Sequence, residues 1–277
     1  MDIGIFIFLT DYTIAVDELA RELEARGFES LFQPEHTHIP ASRLSPFPGG
    51  GDLPREYRST FDPFVTLSIA AAVTERLRVG TGICLIPQRE PIQTAKSVAS
   101  LDKLSGGRFV FGIGGGWNVE EMNNHGAEYK SRFKVLRERV LAMQAIWREE
   151  EASFKGDYVD FERIWSDPKP VQKPNPPVLL GGETDYTLNR VAEFCDGWIP
   201  RGNTFDAARD MPRLKAAAAR AGRDVSELGV TVFRAPPDKA ALAAYEEHGV
   251  DRALFGVPPV SRDEVLKLLD SYAPLLK

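Results

Sequence analysis

The sequence predicts an α/β fold: a (β/α)8 TIM barrel in which residues 1–277 form one domain. Three observations carry this prediction. Short β-branched or aromatic runs alternate with helical patterns eight times, which is the element count a closed barrel of this length requires. The strand runs are almost continuously apolar, as a parallel sheet covered by helices demands. No linker-like stretch divides the chain, which disfavours the rival arrangement, a doubly wound open sheet with a short appended domain.

In chain order, strands are expected at IGIFIF (3–8), ESLFQP (29–34), RVGTGICLI (78–86), RFVFGIG (108–114), PVLLGG (177–182), GWIPRG (197–202), GVTVFRA (229–235) and RALFGV (252–257). Between the first two, Thr13 to Arg26 places Ile14, Leu19 and Leu23 at helical spacing. Asp62 is a cap ahead of the helix-opening Pro63 and FVTLSIAAAVTERL. Residues 91–105, 131–150, 184–195, 205–221, 238–248 and 261–272 supply the remaining helices. Two long segments break the alternation. Residues 37–61, with SPFPGGGDLPREY, form a loop after the second strand, and residues 151–176, with PKPVQKPNPP, form one before the fifth. The first rises from the C-terminal face, where barrel active sites lie; the second belongs to the opposite rim or the flank.

Composition narrows the function classes. Hydrophobic residues make up 43% and charged residues 27%, a soluble profile with ample core. A net charge of −6 with scattered basic residues argues against nucleic-acid binding. Cys84 and Cys195 are isolated and read as reduced core thiols. The opening MDIGIFIFLTD has no basic flank or small-residue cleavage site, so it reads as a strand and not as a signal peptide. No apolar run approaches the roughly 20 residues of a membrane span, and the cytoplasm is the expected location.

Three strand ends carry candidate chemistry. In FGIGGGWNVEEM (111–122), Gly114, Gly115 and Gly116 end the fourth strand, and a short helix is expected from about Asn118. Glycines there let the backbone approach a ligand, and free N–H groups favour phosphate. Trp117 takes the last glycine position of a GxGxxG pattern, so a plain tight β/α turn is the alternative. VLLGGETDYTLNR repeats the logic with Gly181 and Gly182, followed by Thr184 or Asp185 as a helix cap. Side by side on the rim, the two turns point to one phosphate-bearing ligand. In GTGICLIPQREP (80–91), Gly82 and Ile83 mark a bulge, a close contact with a flat ligand, or a packing glycine at a crowded wall.

FQPEHTHIP (32–40) holds two of the four histidines, His36 and His38, beside Glu35. A zinc site wants more ligands at short spacing, and His125 and His248 are remote in sequence, so no metal is expected. Two readings stay open: a polar strand end without chemistry, or a His36 that faces substrate at the C-terminal end of the second strand.

Taken together, these motifs resemble the luciferase-like monooxygenase superfamily, on its coenzyme F420-dependent oxidoreductase branch. The resemblance runs over nearly the full length, through GIFIFLTD, RGFESLFQPEHTHIP, the long block from DPFVTL to GGGWNVEEM, and PVLLGG followed by EFCDGWIPRG. LDKLSGGRFVFGIGGGWN is its most specific part. The resemblance implies a TIM barrel with the cofactor across the C-terminal mouth. It also implies a non-proline cis peptide at the end of the third strand, here between Gly82 and Ile83, a bond type seen in well under about 0.1% of such positions. Cofactor phosphate would be held at Gly115, Gly116, Trp117 and Asn118, and at Gly181 and Gly182. In related sugar-phosphate dehydrogenases an acidic residue and a histidine close strand two, which places Glu35 and His36 in catalytic roles. Those enzymes carry a proton-donating glutamate just after the strand-four glycines, where this chain has Trp117. The departure argues against a sugar-phosphate reaction and leaves the acidic counterpart of His36 undefined; Glu120 and Glu121 are expected to be aimed elsewhere by their helix.

The expected activity is hydride transfer between coenzyme F420 and a small organic substrate. His36 would exchange a proton with the substrate, Glu35 would orient it, and Phe47, Tyr57 and Phe61 would form apolar pocket walls. One alternative is an FMN-dependent monooxygenase that uses oxygen and needs a reductase partner. Another is a non-catalytic member that binds flavin or deazaflavin. Members of the superfamily are often dimers, so a homodimer is expected.

Overall fold

Eight parallel strands close into a barrel in the structure, a computed structural model that describes residues 1–276. The first strands are β1 (Asp2–Phe6), β2 (Ser30–Gln33), β3 (Arg78–Thr81) with its continuation β4 (Cys84–Leu85), and β5 (Phe109–Gly114). A separate antiparallel hairpin follows, β6 (Ala152–Lys155) and β7 (Asp160–Ile164). The barrel resumes with β8 (Val178–Gly181), β9 (Gly197–Ile199), β10 (Gly229–Phe233) and β11 (Arg252–Gly256). Pairing of β1 with both β2 and β11 closes the ring, and β3 and β4 both pair with β5, so they are one interrupted strand.

The helices are α1 (Val16–Arg26), α2 (Glu56–Ser59), α3 (Pro63–Ala72), α4 (Pro91–Leu104), α5 (Val119–Asn124), α6 (Arg132–Arg148), α7 (Asp185–Phe194), α8 (Ala207–Arg220), α9 (Lys239–Glu247) and α10 (Arg262–Tyr272). Asp62 caps α3 as expected, with its side chain accepting from Phe64 N–H at 2.8 Å, and Pro63 opens the helix. Both faces of the strands are buried, which is why their sequences run apolar without alternation. Phe6, Phe32, Val110, Leu179, Ile199 and Leu254 fill the barrel interior, with the half-buried Ile83 and Phe233 packed on them. Ile5, Leu31, Val79, Phe109 and Phe111 belong to the layer between sheet and helices.

The third barrel strand breaks between Thr81 and Cys84 at a cis Gly82–Ile83 peptide, the bond the resemblance implied. The chain beyond it is fastened from two directions. Glu35 accepts from Leu85 N–H at 2.6 Å and from Arg89 Nε at 2.6 Å. Arg139 Nη1 donates to the carbonyls of Ile86, Pro87 and Arg89 at 2.6–3.0 Å.

Both long loops carry unforeseen structure. Residues 37–61 contain α2 and are tethered to α5, since Ser45 Oγ accepts from Val119 N–H at 3.0 Å and Ser45 N–H donates to Glu120 at 3.2 Å. Within 151–176, expected to be loop throughout, β6 and β7 pair across the four-residue turn 156–159, closed by Gly156 N–H donating to Val159 O at 2.8 Å. Glu138 of α6 accepts from the N–H groups of Asp157, Tyr158 and Val159 at 3.1, 2.7 and 3.3 Å, which docks the hairpin on the flank. Glycine and aspartate between two short alternating runs, ASFK and DFERI, are a hairpin pattern that the nearby prolines obscured. Buried Asp102 then gathers Val171 N–H, Gln172 N–H and Gln172 Nε2 at 2.6–3.0 Å. Cys84 and Cys195 are buried and free, and burial pushes both thiols up in pKa. Among the described residues, no helix is long and apolar enough to cross a membrane.

Candidate active site

His36 follows β2 by three residues and is buried at the barrel mouth. Its Nδ1 lies 2.8 Å from Glu121 Oε2, and the other carboxylate oxygen accepts from Thr37 N–H at 3.1 Å. Its Nε2 accepts from the indole N–H of Trp117 at 3.3 Å. A carboxylate on one nitrogen and an N–H donor on the other fix the neutral ring as the Nδ1–H tautomer. Glu121 is fully buried, in the first turn of α5, whose cap is Asn118: Asn118 Oδ1 accepts from Glu121 N–H at 2.9 Å. Burial raises the Glu121 carboxyl pKa, but the hydrogen bond from His36, its positive charge when the ring is protonated, and hydrogen bonds from Gln88 and the Thr37 N–H outweigh it and leave it below the ordinary carboxylate value. The expectation that the helix would aim Glu121 elsewhere is therefore corrected. The cap turns the first helical turn back over the end of β2.

Glu35 does not orient His36. It is buried, and its oxygens are taken by Leu85 N–H and the Arg89 guanidinium, which also reaches Asp62 at 2.6 Å. Neighbouring residues in extended chain point to opposite sides, so chain adjacency put this carboxylate on the strand break and not on the histidine.

Aromatic rings wall the same region. The Tyr57 ring centroid lies 5.4 Å from that of His36, 5.1 Å from Phe47 and 4.7 Å from Phe8, and Trp117 lies 5.7 Å from His36 and 6.1 Å from Phe47. Phe61 is not brought into this group. Its backbone is pinned between Leu9 and Gln33, at 2.9 and 2.7 Å, and the residue is 42% exposed and without a ring contact among the described residues. Thr37 forms an outer ring of contacts, with its hydroxyl 2.7 Å from His125 Nε2 and 2.9 Å from His38 Nδ1. Among the described residues, no trio of His, Cys, Asp or Glu is placed to hold a metal ion.

The glycine turns fit a ring-plus-phosphate ligand. A Cβ on Gly114 would lie 1.9 Å from Ile83 Cδ1, so the fourth barrel strand crowds the cis peptide's side chain. Gly116 (φ +73°) and Gly182 (φ +125°) adopt backbone conformations that other residues rarely take. Beside Gly116, the buried Gln88 amide turns toward the Glu121 carboxylate and helps to lower its pKa, which puts a polar side chain next to the fourth-strand turn. The side chain of Asn118 caps α5, which leaves only the backbone of this turn for a phosphate. Gly181 and Gly182 lead into α7, which Thr184 caps by accepting from Thr187 N–H at 3.1 Å. Sequence reasoning missed Glu121, Thr37 and Gln88. The spacing Asn118–x–x–Glu121 was the available clue, because an asparagine cap fixes where the third helical residue lies.

Known proteins share this architecture. The sequence is 40% identical to an uncharacterised protein of Mycobacterium tuberculosis, over all of this chain and 99% of that one. It is 30% identical to an FMNH(2)-dependent dimethylsulfone monooxygenase of Pseudomonas putida, over 61% of this chain and 47% of that one. It is 27% identical to an F420-dependent hydroxymycolic acid dehydrogenase of Mycobacterium tuberculosis, over 82% and 60%. Among solved structures, a monooxygenase from Streptomyces bottropensis superposes with a TM-score of 0.79 at 18% identity, covering 99% of this chain and 98% of that one. An F420-dependent secondary alcohol dehydrogenase bound to an F420–acetone adduct superposes at 0.76 and 16%, covering 100% and 99%. At such identities the superpositions show the fold alone. The luciferase-like monooxygenase family profile, however, matches residues 10–262, and with that match the chain belongs to this family of oxidoreductases.

Proposed function

We propose that the protein is an F420-dependent oxidoreductase that interconverts an alcohol and a carbonyl in a small organic substrate. The observation that carries this reading is the buried His36–Glu121 pair at the barrel mouth. A histidine whose Nδ1–H is held by an ionised carboxylate presents a basic Nε2, the arrangement of a general base. The similarity to an F420-dependent hydroxymycolic acid dehydrogenase supports the same chemistry.

Bound deazaflavin supplies a two-electron hydride carrier and avoids easy one-electron and oxygen chemistry. Gly82 and Ile83 would support its ring, and the turns at Gly115, Gly116, Gly181 and Gly182 its phosphate. His36 Nε2 takes the proton of the substrate hydroxyl, displacing the 3.3 Å contact from Trp117. Glu121 then stabilises the imidazolium through Nδ1–H. Phe47, Tyr57 and Trp117 keep water from the reacting carbon. Proton transfer of this kind is worth on the order of 10²–10⁴ in rate.

An FMN-dependent monooxygenase is the second reading, favoured by the similarity to the dimethylsulfone enzyme. Steady-state assays separate the two. The protein is supplied with F420 and a panel of secondary alcohols, and loss of the oxidised deazaflavin's absorbance is followed. In parallel, oxygen uptake is followed with reduced FMN and the same panel. F420 reduction by at least one alcohol is expected. Product formation only with reduced FMN and oxygen would replace the first reading with the second.

A further inference from the structure

One arginine stands at the barrel mouth with its charge unmet. Arg234 directly follows β10, whose C-terminal end opens on the mouth. It holds φ at +59°, a left-handed backbone that a residue with a Cβ enters only against strain. Glycine takes that conformation freely, so the turn alone does not call for an arginine. The chain is fixed on both sides of it, with Gly202 N–H donating to Phe233 O at 2.6 Å and Ala235 N–H to Leu254 O at 2.9 Å. The guanidinium carbon lies 5.6 Å from the ring centroid of Phe6, one of the side chains that fill the barrel interior, and Phe6 packs on Phe233 at 4.0 Å. The charge therefore faces the inside of the mouth and not its outer rim.

Among the described residues, the Arg234 guanidinium has neither an ion-pair partner nor a hydrogen-bond acceptor. The neighbouring strand end shows the contrast. Arg201, after β9, is held by both oxygens of Glu183, at 2.7 and 3.1 Å. Tyr57 feels both arginines: burial pushes its phenol up in pKa, the Arg234 charge opposes this, Glu56 reinforces it, and Arg201 opposes it again. The phenol stays a donor at neutral pH, and its hydroxyl has no partner among the described residues. The same ring packs 5.4 Å from that of His36. A guanidinium without a counter-ion and a phenol O–H without an acceptor, beside the proton-accepting histidine, make a receptor for one planar anion.

We infer that the substrate carries a carboxylate, bound by Arg234 and the Tyr57 hydroxyl, so that the alcohol and carbonyl interconverted are a hydroxy acid and its oxo acid. This rests on the reading above, in which His36 takes the hydroxyl proton. The carboxylate is unchanged in the reaction. The carbinol carbon loses hydride to the deazaflavin, the hydroxyl proton goes to His36 Nε2, and the C=O bond forms. A single unmet positive charge fits a monoanion, whereas a phosphate ester, with its second charge, would call for the arginine that Glu183 already occupies.

Arg234→Gly removes the charge and also relieves the backbone, so the variant is expected to fold. Arg234→Lys keeps the charge, and Tyr57→Phe keeps the ring and removes the O–H. Calorimetric titrations compare lactate and β-hydroxybutyrate with their neutral methyl esters, on the protein alone and with F420 or FMN present. At least one acid is expected to bind the wild type about tenfold or more tightly than its ester. Arg234→Gly should weaken that acid about 10–100-fold and leave the ester within about twofold, while Arg234→Lys keeps part of the preference. Tyr57→Phe should weaken the acid about tenfold, the value of a hydrogen bond to a charged group. No preference for either acid, a preference that survives Arg234→Gly, or an equal loss for acid and ester overturns the inference. So does a loss in Arg234→Gly that falls on F420 in place of the acid. Calorimetry keeps the two readings apart. An acid preference that depends on Arg234 supports the carboxylate site even where no acid reduces F420, and F420 reduction by neutral alcohols without any such preference upholds the proposed function and overturns the site.

Discussion

Glu35 and Glu121 make an instructive pair. Glu35 is the chain neighbour of His36, while Glu121 is 85 residues away, yet Glu121 binds the imidazole and Glu35 binds the strand break through Leu85 and Arg89. Both carboxylates are buried, and both have their oxygens filled by one backbone N–H and one cationic or imidazole donor. What differs is the element each serves. Glu35 fastens the chain after the cis Gly82–Ile83 peptide and so shapes the floor under the mouth. Glu121 sets the tautomer of the one histidine that faces the mouth. Near an active site, proximity in sequence says little about which acid serves which base.

The sharpest way to break this contrast is to remove its shared neighbour. His36→Ala is expected to lower turnover by on the order of 10²–10⁴ while cofactor Kd stays within about twofold. Steady-state kinetics with parallel titration would show this, and unchanged turnover would take His36 out of the chemistry. Next in size is Glu35→Gln, which leaves the Arg89 charge short of one partner, with Asp62 still beside it. A loss of about 3 kcal/mol is expected in urea unfolding, at the low end for breaking a buried ion pair. The surviving folded protein should keep the wild-type pH profile of turnover. If Glu35→Gln instead altered that profile with stability intact, the division of labour would be wrong.

Glu121→Gln should show the opposite signature. Turnover falls on the order of 10², because the imidazolium loses its carboxylate, while the fold is little changed. A pH effect on stability follows as the smallest prediction. The folded Glu121 pKa lies below the ordinary 4.5, so the carboxylate's contribution is complete above that value and is lost as the pH falls through the lower folded pKa. Acid unfolding monitored by circular dichroism should show this component in the wild type and lack it in Glu121→Gln. An identical acid limb in both proteins would mean the hydrogen bond to His36 contributes no net stability.

The barrel was legible in the sequence because its strands are buried on both faces and therefore read as apolar runs, each followed by a capped helix. The Asp62–Pro63 cap and the glycines at 114–116 and 181–182 marked boundaries that the structure keeps. The position of His36 at the end of β2 followed from the same pattern. Its partner did not, because pairing it with Glu121 requires knowing that the Asn118 cap folds α5 back across the mouth. The β6–β7 hairpin was hidden for a different reason: its strands are short and half-exposed, and prolines follow closely. Phe61 looked like a pocket wall because it is apolar and in the right loop, but its backbone bonds to Leu9 and Gln33 anchor it apart from Tyr57 and Phe47.

The proposed function turns on which cofactor the barrel binds. Equilibrium titration of the purified protein with F420 and with FMN, read by quenching of ligand fluorescence, tests it most directly. Saturable F420 binding at least tenfold tighter than that of FMN, about 1.4 kcal/mol, is expected. Tight binding of FMN with none for F420 would contradict it and make the chain a flavin enzyme.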